Sequence, residues 1–298
     1  EEAARLLDRA GRCDDAMTQL THAHALQLRQ LFPDPAAVAR TDTLAITRAR
    51  NTREDAASWR DDDAPDAAAS PIFIVGFPRS GTTLLESMLD AHPALTTMDE
   101  RAFVQDLIDT MQQRGLRYPQ ELSRLSAADR DALCAQYRDT VRAQTSADPT
   151  RRLVDKNPLN ILRLPMIARL FPHARIILAL RHPCDVVLSN YMQRFQTPSY
   201  AALCRDIETL ARGFADTFDF WLDQSRAFDT PVLELRHEDL VDDLPAAAAA
   251  LVEFLGIAPD DRMLAFDRRS RERGYISTPS YHQVVEPLNR KGVGRWQR

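Results

Sequence analysis

Apolar positions recur at helical spacing in residues 1–32. Leu6 and Leu7, then Ala16, Leu20, Ala23 and Leu26, sit around a turn at Gly11 and predict two short helices. Residues 52–70 are rich in Asp, Ala and Arg, run into Pro71 and read as a loop or linker. From Pro71 the period changes. Pro71-Ile-Phe-Ile-Val-Gly76 is a short buried strand, and Thr82 to Ala91 is an amphipathic helix closed by His92-Pro93. Ser126-Ala-Ala-Asp129 opens a long helix with a capping-box start, which should end near Ala147, ahead of Pro149. Strands follow at Arg152–Asp155, Arg175–Leu180 and Pro231–Leu235. Helices are expected over Leu159–Phe171, Cys184–Phe195, most of Ala201–Phe228, and Pro245–Leu255. The last thirty residues have no clear period and would form an extended polar tail unless something anchors them. Strands alternating with helices imply an α/β fold: a P-loop-like, mostly parallel sheet with helices on both faces, preceded by a small helical segment. The expected organisation is a helical segment at 1–50, a linker at 51–70 and one main domain at 71–298.

Composition narrows the function classes. A chain of 298 residues, 44% hydrophobic, can bury a sizeable core. Its net charge of −5 argues against a broad electrostatic grip on nucleic acid. No apolar run approaches the ~18 residues needed to span a bilayer. The sequence opens on Glu1 within a helical pattern, which leaves open a leader or anchor ahead of it. Cys13, Cys134, Cys184 and Cys204 lack the spacing of zinc ligands or a disulfide framework, so a reducing compartment, the cytoplasm, is expected. Of 38 basic residues only Lys156 and Lys291 are lysines, so an upstream lysine in so arginine-rich a chain invites a reason.

The strongest chemical signal is Gly76-Phe-Pro-Arg-Ser-Gly81-Thr82-Thr83, set between a buried strand and a helix. Its Gly-x4-Gly spacing is that of a P-loop: glycines let the backbone wrap an anion, and the helix N-terminus aims free N–H groups at it. Thr82 occupies the place of the P-loop lysine, the cation sits within the loop as Arg79, and the third strand ends in Arg181 instead of a metal-holding Asp. The loop therefore suits a phosphate-like group and not Mg·ATP. A second signal is Arg181-His-Pro-Cys-Asp-Val-Val-Leu-Ser189. Arg181 stands at the carboxyl end of a strand, where open α/β sheets bind ligands, and Ser189 lies eight residues on. Two anion sites suggest a nucleotide phosphorylated at two places.

On these motifs the chain resembles the sulfotransferase family. Pro78-Arg-Ser-Gly-Thr-Thr83 is similar to its 5′-phosphosulfate loop, and Arg181 through Ser189 to its 3′-phosphate motif. The resemblance covers residues 71–298 and is closest to tyrosylprotein sulfotransferases and to bacterial sulfotransferases that carry tetratricopeptide repeats. Pro78 through Pro93 carries it along its whole length, as does the tail Ser280-x2-Gln283-Val-x2-Pro287-x-Asn289 with Arg295-Trp296. Gly11 through Ala23 is similar to the second helix of a tetratricopeptide repeat. A single repeat cannot bury its own face, so residues 1–50 are either a remnant of such repeats or a helical hairpin packed on the next domain.

The family implies a donor, 3′-phosphoadenosine 5′-phosphosulfate (PAPS), with 3′,5′-ADP as product and no metal. Sulfuryl transfer needs a base for the acceptor proton and cations near the leaving oxygen. Glu100 is the candidate base: the chain turns at His92-Pro93 and returns towards the loop, and the resemblance places the catalytic Glu there. Asp99 is its rival, and His92, His182, His237 and His282 are positional candidates for the histidine base of the family's other branch. The resemblance further implies Arg79 and Lys156 as catalytic cations and Ser280 as a transition-state-stabilising residue. It implies donor contacts from Arg79, Ser80, Gly81, Thr82, Thr83, Arg181 and Ser189, and from Gln283, Asn289 and Arg295 of the tail. Two departures stand out: Gln193 replaces an Arg, for which Arg194 is the candidate substitute, and His237 replaces an aromatic donor contact. The expected partner is a hydroxyl-bearing acceptor, a protein tyrosine or peptide, with a glycan, lipid or small alcohol as alternatives; a homodimer is the candidate assembly, and neither nucleic acid nor a membrane is expected. Readings from other classes are a P-loop kinase or NTPase, which needs the missing lysine and Asp, and a non-catalytic helical-repeat interaction protein, which predicts loss of Arg79, Glu100 or Lys156.

Overall fold

The chain is known here as a computed structural model that describes residues 2–41, 44, 49–59, 64–98, 100–273, 285 and 288–297. The early helical period becomes α1 (Glu2–Arg9) and α2 (Cys13–Leu31), joined at Gly11, whose φ of 74° lies in the left-handed region. α3 (Pro35–Arg40) follows, with Asp34 capping its first turn. Part of the expected linker is helical: Arg53–Ser58 forms α4. The Thr52 side chain accepts from the Asp55 N–H, and the Asp55 carboxylate accepts from the Thr52 N–H. That reciprocal cap satisfies two orphan donors and sets the helix start, an effect the Asp- and Ala-rich composition masks.

The α/β portion runs β1 (Ile72–Gly76), α5 (Thr82–Asp90), β2 (Leu95–Met98), α6 (Phe103–Gln113), α7 (Ala127–Gln144), β3 (Arg152–Lys156), α8 (Leu164–Leu170) and β4 (Arg175–Leu180). It continues through α9 (Pro183–Tyr191), α10 (Pro198–Leu203), α11 (Ile207–Ala227), β5 (Val232–Arg236), α12 (His237–Asp242), α13 (Leu244–Leu255) and α14 (Phe266–Arg273). Ser126 and Asp129 form the expected capping box at the start of α7. The helix expected from Leu159 begins as a 3-10 turn at Pro158–Arg163 before α8. β2, α3, α6, α12 and α14 are additions to the sequence reading. No helix among the described residues is long and apolar enough to cross a membrane.

All strands pair in parallel in the order β2-β3-β1-β4-β5. The chain leaves β1 towards β2 and β3 on one side, then crosses to β4 and β5 on the other. The carboxyl end of β1 is therefore the switch point where such sheets open a crevice. Strand alternation assigns the faces. Ile72, Ile74, Val154 and Ile177 pack with Leu85, Leu89, Leu251 and Phe266 on one face. On the other, Phe73 meets Phe171, which in turn meets Tyr137. By the same alternation Lys156 shares the face of Val154 and α5, and Asp155 points to the face of α7.

Two compact units emerge, and they do not follow chain order. One lies within Glu1–Arg48, His182–Asp219 and Lys291–Arg298; the other, which holds the whole sheet, lies within Ala49–Arg181 and Phe220–Arg290. In the first, His24 Nε2 bonds the Tyr191 carbonyl at 2.8 Å and Gln27 donates to the Phe195 carbonyl, which ties α2 to the end of α9. The Asp185 carboxylate accepts from the N–H groups of Gly294 and Trp296, and Trp296 stacks on His182 with ring centroids 5.0 Å apart.

Asp155 yields a stability prediction. It is buried, accepts from Tyr137 Oη at 2.7 Å and from Asn160 Nδ2 at 3.3 Å, and burial pushes its carboxyl up to about 7. The acid is thus held protonated in the fold at pH values where the unfolded chain, with a carboxyl near ~3.9, has released its proton. Its contribution is complete below that value and is lost as pH rises through about 7, over a total of roughly 4 kcal/mol. Asp155→Asn keeps an acceptor for Tyr137 and removes the titration. Urea midpoints at about pH 5 and about pH 8 should show the variant gaining on the wild type as pH rises. Parallel pH dependence in the two proteins would contradict this.

Candidate active site

Every strand that borders the switch point ends in a residue with chemistry to offer. β1 ends at Gly76 and passes into the loop Phe77–Gly81, β3 ends in Lys156, Arg181 directly follows β4, and His237 directly follows β5. All belong to the unit that holds the sheet. Gly76 is required by close approach: a Cβ there would lie 2.7 Å from the Ala179 carbonyl oxygen on neighbouring β4. Gly81 has φ +98°, and a Cβ on it would lie 2.8 Å from His237 Nδ1. Arg79 adopts φ 72°, a left-handed conformation that costs a non-glycine residue roughly 1–2 kcal/mol. Arg181 Nη1 donates to the Arg79 carbonyl at 3.0 Å, a charge-assisted bond that holds this strained backbone in place. Ser80 closes the turn by donating its N–H to the Phe77 carbonyl. α5 then starts at Thr82: the N–H groups of Leu84 and Leu85 donate to the Gly81 carbonyl, and those of Thr82 and Thr83 precede the first acceptor of the helix. Strand, strained loop and helix N-terminus together shape a cradle of a kind that suits an anion.

Gly81→Ala is expected to cost roughly 1–3 kcal/mol of stability, because φ is unfavourable for Ala and His237 must move. A urea midpoint equal to that of the wild type would show that the loop relaxes without cost.

Beside the cradle lies a charge cluster. Lys156 is fully buried, and its Nζ donates to Glu100 Oε1 at 2.8 Å and sits 3.1 Å from Glu86 Oε2. Glu86 projects from α5 and is also buried, whereas the Glu100 side chain is 40% exposed. Burial alone would lower the Lys156 pKa; the two carboxylates outweigh it and hold the ammonium above its usual range. Glu100 and Lys156 are 56 residues apart, and the next residues along repeat the link: Asn157 Nδ2 donates to the Arg101 carbonyl at 2.6 Å. That second bond fixes the segment that carries Glu100. Oε1 of Glu100 faces the lysine, and among the described residues no hydrogen bond is recorded to its second oxygen.

The structure therefore brings Arg79, Ser80, Gly81, Thr82, Thr83, Arg181 and His237 to the carboxyl edge of the sheet, and joins Glu100 to Lys156 there. Asn289 is exposed. Ser189, Arg194 and Arg295 belong to the other unit: Ser189 lies in α9, Arg194 donates to Gln30 Oε1, and Arg295 pairs with Asp8. Asp99, Ser280, His282 and Gln283 lie outside the described residues. Sequence reasoning missed Glu86 and Asn157. Asn157 follows the singled-out lysine directly; Glu86 was hidden among the polar positions of α5.

Comparison with known proteins places the chain in a family. The chain belongs to the sulfotransferase family, whose model matches residues 71–261. It is 28% identical over 236 residues to protein-tyrosine sulfotransferase 2 of Gallus gallus, covering 76% of this chain and 62% of that protein. It is 28% identical over 240 residues to an uncharacterized protein of Aquifex aeolicus, covering 76% of this chain but 30% of that protein. The chain thus spans less than two thirds of the length of either relative. In fold it is similar to the sulfotransferase domain from the Synechococcus PCC 7002 olefin synthase, with a TM-score of 0.51 and 24% identity over 80% of this chain and 90% of that one.

Proposed function

We propose that this member of the sulfotransferase family moves a sulfuryl group from PAPS to an acceptor hydroxyl, with a tyrosine of a protein or peptide as the acceptor. The observation that carries the reading is the Glu100–Lys156 pair, at 2.8 Å, beside a phosphate loop in which Thr82 stands where an NTPase has its lysine. The likeness to protein-tyrosine sulfotransferases supports the tyrosine acceptor.

The residues present fit such a donor. The left-handed turn at Arg79 and the bare Cα of Gly81 open a backbone cradle at the N-terminus of α5. Ser80, Gly81, Thr82 and Thr83 would hold the 5′-phosphosulfate there, and Arg181 would hold the 3′-phosphate. PAPS, when bound, supplies the activated sulfuryl group and a stable leaving nucleotide.

The chain's own residues do the rest. Glu100 accepts the acceptor's hydroxyl proton on Oε2, while Oε1 stays bonded to Lys156. The O–H electron pair is thereby freed for the acceptor oxygen's bond to sulfur. Arg79 supplies positive charge in the loop, where negative charge develops as the donor's S–O bond breaks. Lys156 orients Glu100 through a charge-assisted bond.

The test is a thermal shift followed by a transfer assay. At ~100 times its dissociation constant, 3′,5′-ADP should stabilise the protein by about 2.7 kcal/mol, with EDTA present. Label from PAPS should then appear on a tyrosine peptide in preference to glycans or small alcohols. Stabilisation by Mg·ATP instead, or equal binding of a nucleotide without its 3′-phosphate, would overturn the donor assignment. Transfer only to non-peptide alcohols would overturn the acceptor.

A further inference from the structure

We propose that Glu86 is a positioning residue, a buried counter-ion that keeps Lys156 charged and in place while Glu100 changes protonation. The proposal rests on the role given above to Glu100, and it comes from the unequal surroundings of two carboxylates that share one ammonium.

Lys156 Nζ lies 2.8 Å from Glu100 and 3.1 Å from Glu86, with no exposure of its own. Glu86 has about 1% of its side chain exposed and Glu100 has 40%. An exposed carboxylate can meet an acceptor and return a proton to water; an enclosed one cannot. Among the described residues, these two carboxylates are the charges that act on the ammonium. β1 and β2, the strands on either side of β3, contain no titratable side chain. Asp155 points to the opposite face, towards Tyr137. Asp90, the other acid of α5, accepts from Arg269 and from Thr97.

Charge accounting gives Glu86 its task. With both carboxylates ionised the cluster carries a net charge of −1. When Glu100 takes the acceptor's proton, it leaves Lys156 and Glu86 as a neutral buried pair. Without the Glu86 charge, the same step would strand a buried ammonium, which is strongly unfavourable. Lys156 would then hold Glu100 in its ionised form and weaken it as a base. A mere packing role for Glu86 predicts none of this.

The sequence offers a clean probe, because Lys156 and Lys291 are the only lysines and Lys291 is exposed. Full-length protein labelled with carbon-13 at lysine Cε should give two titrating signals. In Glu86→Gln the Lys156 titration should fall by about one pH unit or more, with Lys291 unmoved. Unchanged titration of Lys156 in a folded Glu86→Gln protein would overturn the proposal. Glu100→Gln provides a second arm at a half-exposed site: Glu86 alone should still keep Lys156 protonated through neutral pH, and a lysine already neutral there would equally overturn it.

Neither arm needs donor or acceptor, so failure of the sulfuryl-transfer reading would leave them interpretable. With the transfer assay working, Glu86→Gln should lower kcat by about tenfold or more and move the acid limb of the kcat profile to lower pH. Glu86→Asp, which retains the charge, should recover part of both effects. A uniform loss of activity with an unshifted pH profile, not rescued by Asp, would mark Glu86 as structural only.

Discussion

Glu100→Gln should lower turnover by roughly 10²–10⁴-fold while 3′,5′-ADP binds as it does to the wild type. That loss is about 2.7–5.4 kcal/mol of barrier. The amide keeps the size of the side chain and an oxygen to accept from Lys156 at the 2.8 Å contact, so the segment should stay in place. What it loses is the capacity to take a proton on its second oxygen. Single-turnover rates should show the deficit directly, and calorimetry with 3′,5′-ADP should not. Asp99→Asn, one residue earlier, should be nearly silent. The reverse result would place the base at Asp99, and activity surviving both changes would point to a histidine.

The parts of the site that could be read from the sequence are those fixed by local chemistry. The loop Gly76–Thr83 announces itself because backbone wrapping, helix dipole and left-handed φ all demand particular residues at fixed spacing. Arg181 was legible as a cation at a strand end, but its bond to the Arg79 carbonyl was not, since nothing local links residues 102 apart. β2 escaped notice because Leu95–Met98 has only four residues and two of them are Thr, too few for a period to show. Glu86 escaped for a different reason. An amphipathic reading of α5 turns Glu86 outwards, yet Thr82 through Leu89 are all buried, because the helix is covered beyond the sheet by α14. A signal did exist: a helix with so few charges is enclosed on all sides, and a charge within it needs a partner. The partner was the one upstream lysine in an arginine-rich chain.

Lys156→Met should remove most turnover and also cost roughly 3–5 kcal/mol of stability, as expected when one member of a buried ion pair is lost. The methionine fills the space of the lysine stem but leaves the buried Glu86 facing Glu100 without the cation between them. Repulsion and burial then both favour protonated Glu86. Its carboxyl would rise in the folded variant relative to the unfolded chain, so the variant's stability should be best at low pH and fall as pH rises. The double variant Glu86→Gln/Lys156→Met removes the orphaned charge and should recover most of the stability at neutral pH. Turnover should not return with it, because Glu100 would still lack the ammonium that orients it. Urea midpoints for the single and double variants, set beside their transfer rates, separate the two functions of the lysine. If the double variant is no more stable than the single one, the cluster is not the buried charge system described here. If it regains turnover, Lys156 serves the fold alone and orientation of Glu100 must come from Asn157, whose bond to the Arg101 carbonyl is untouched by either substitution.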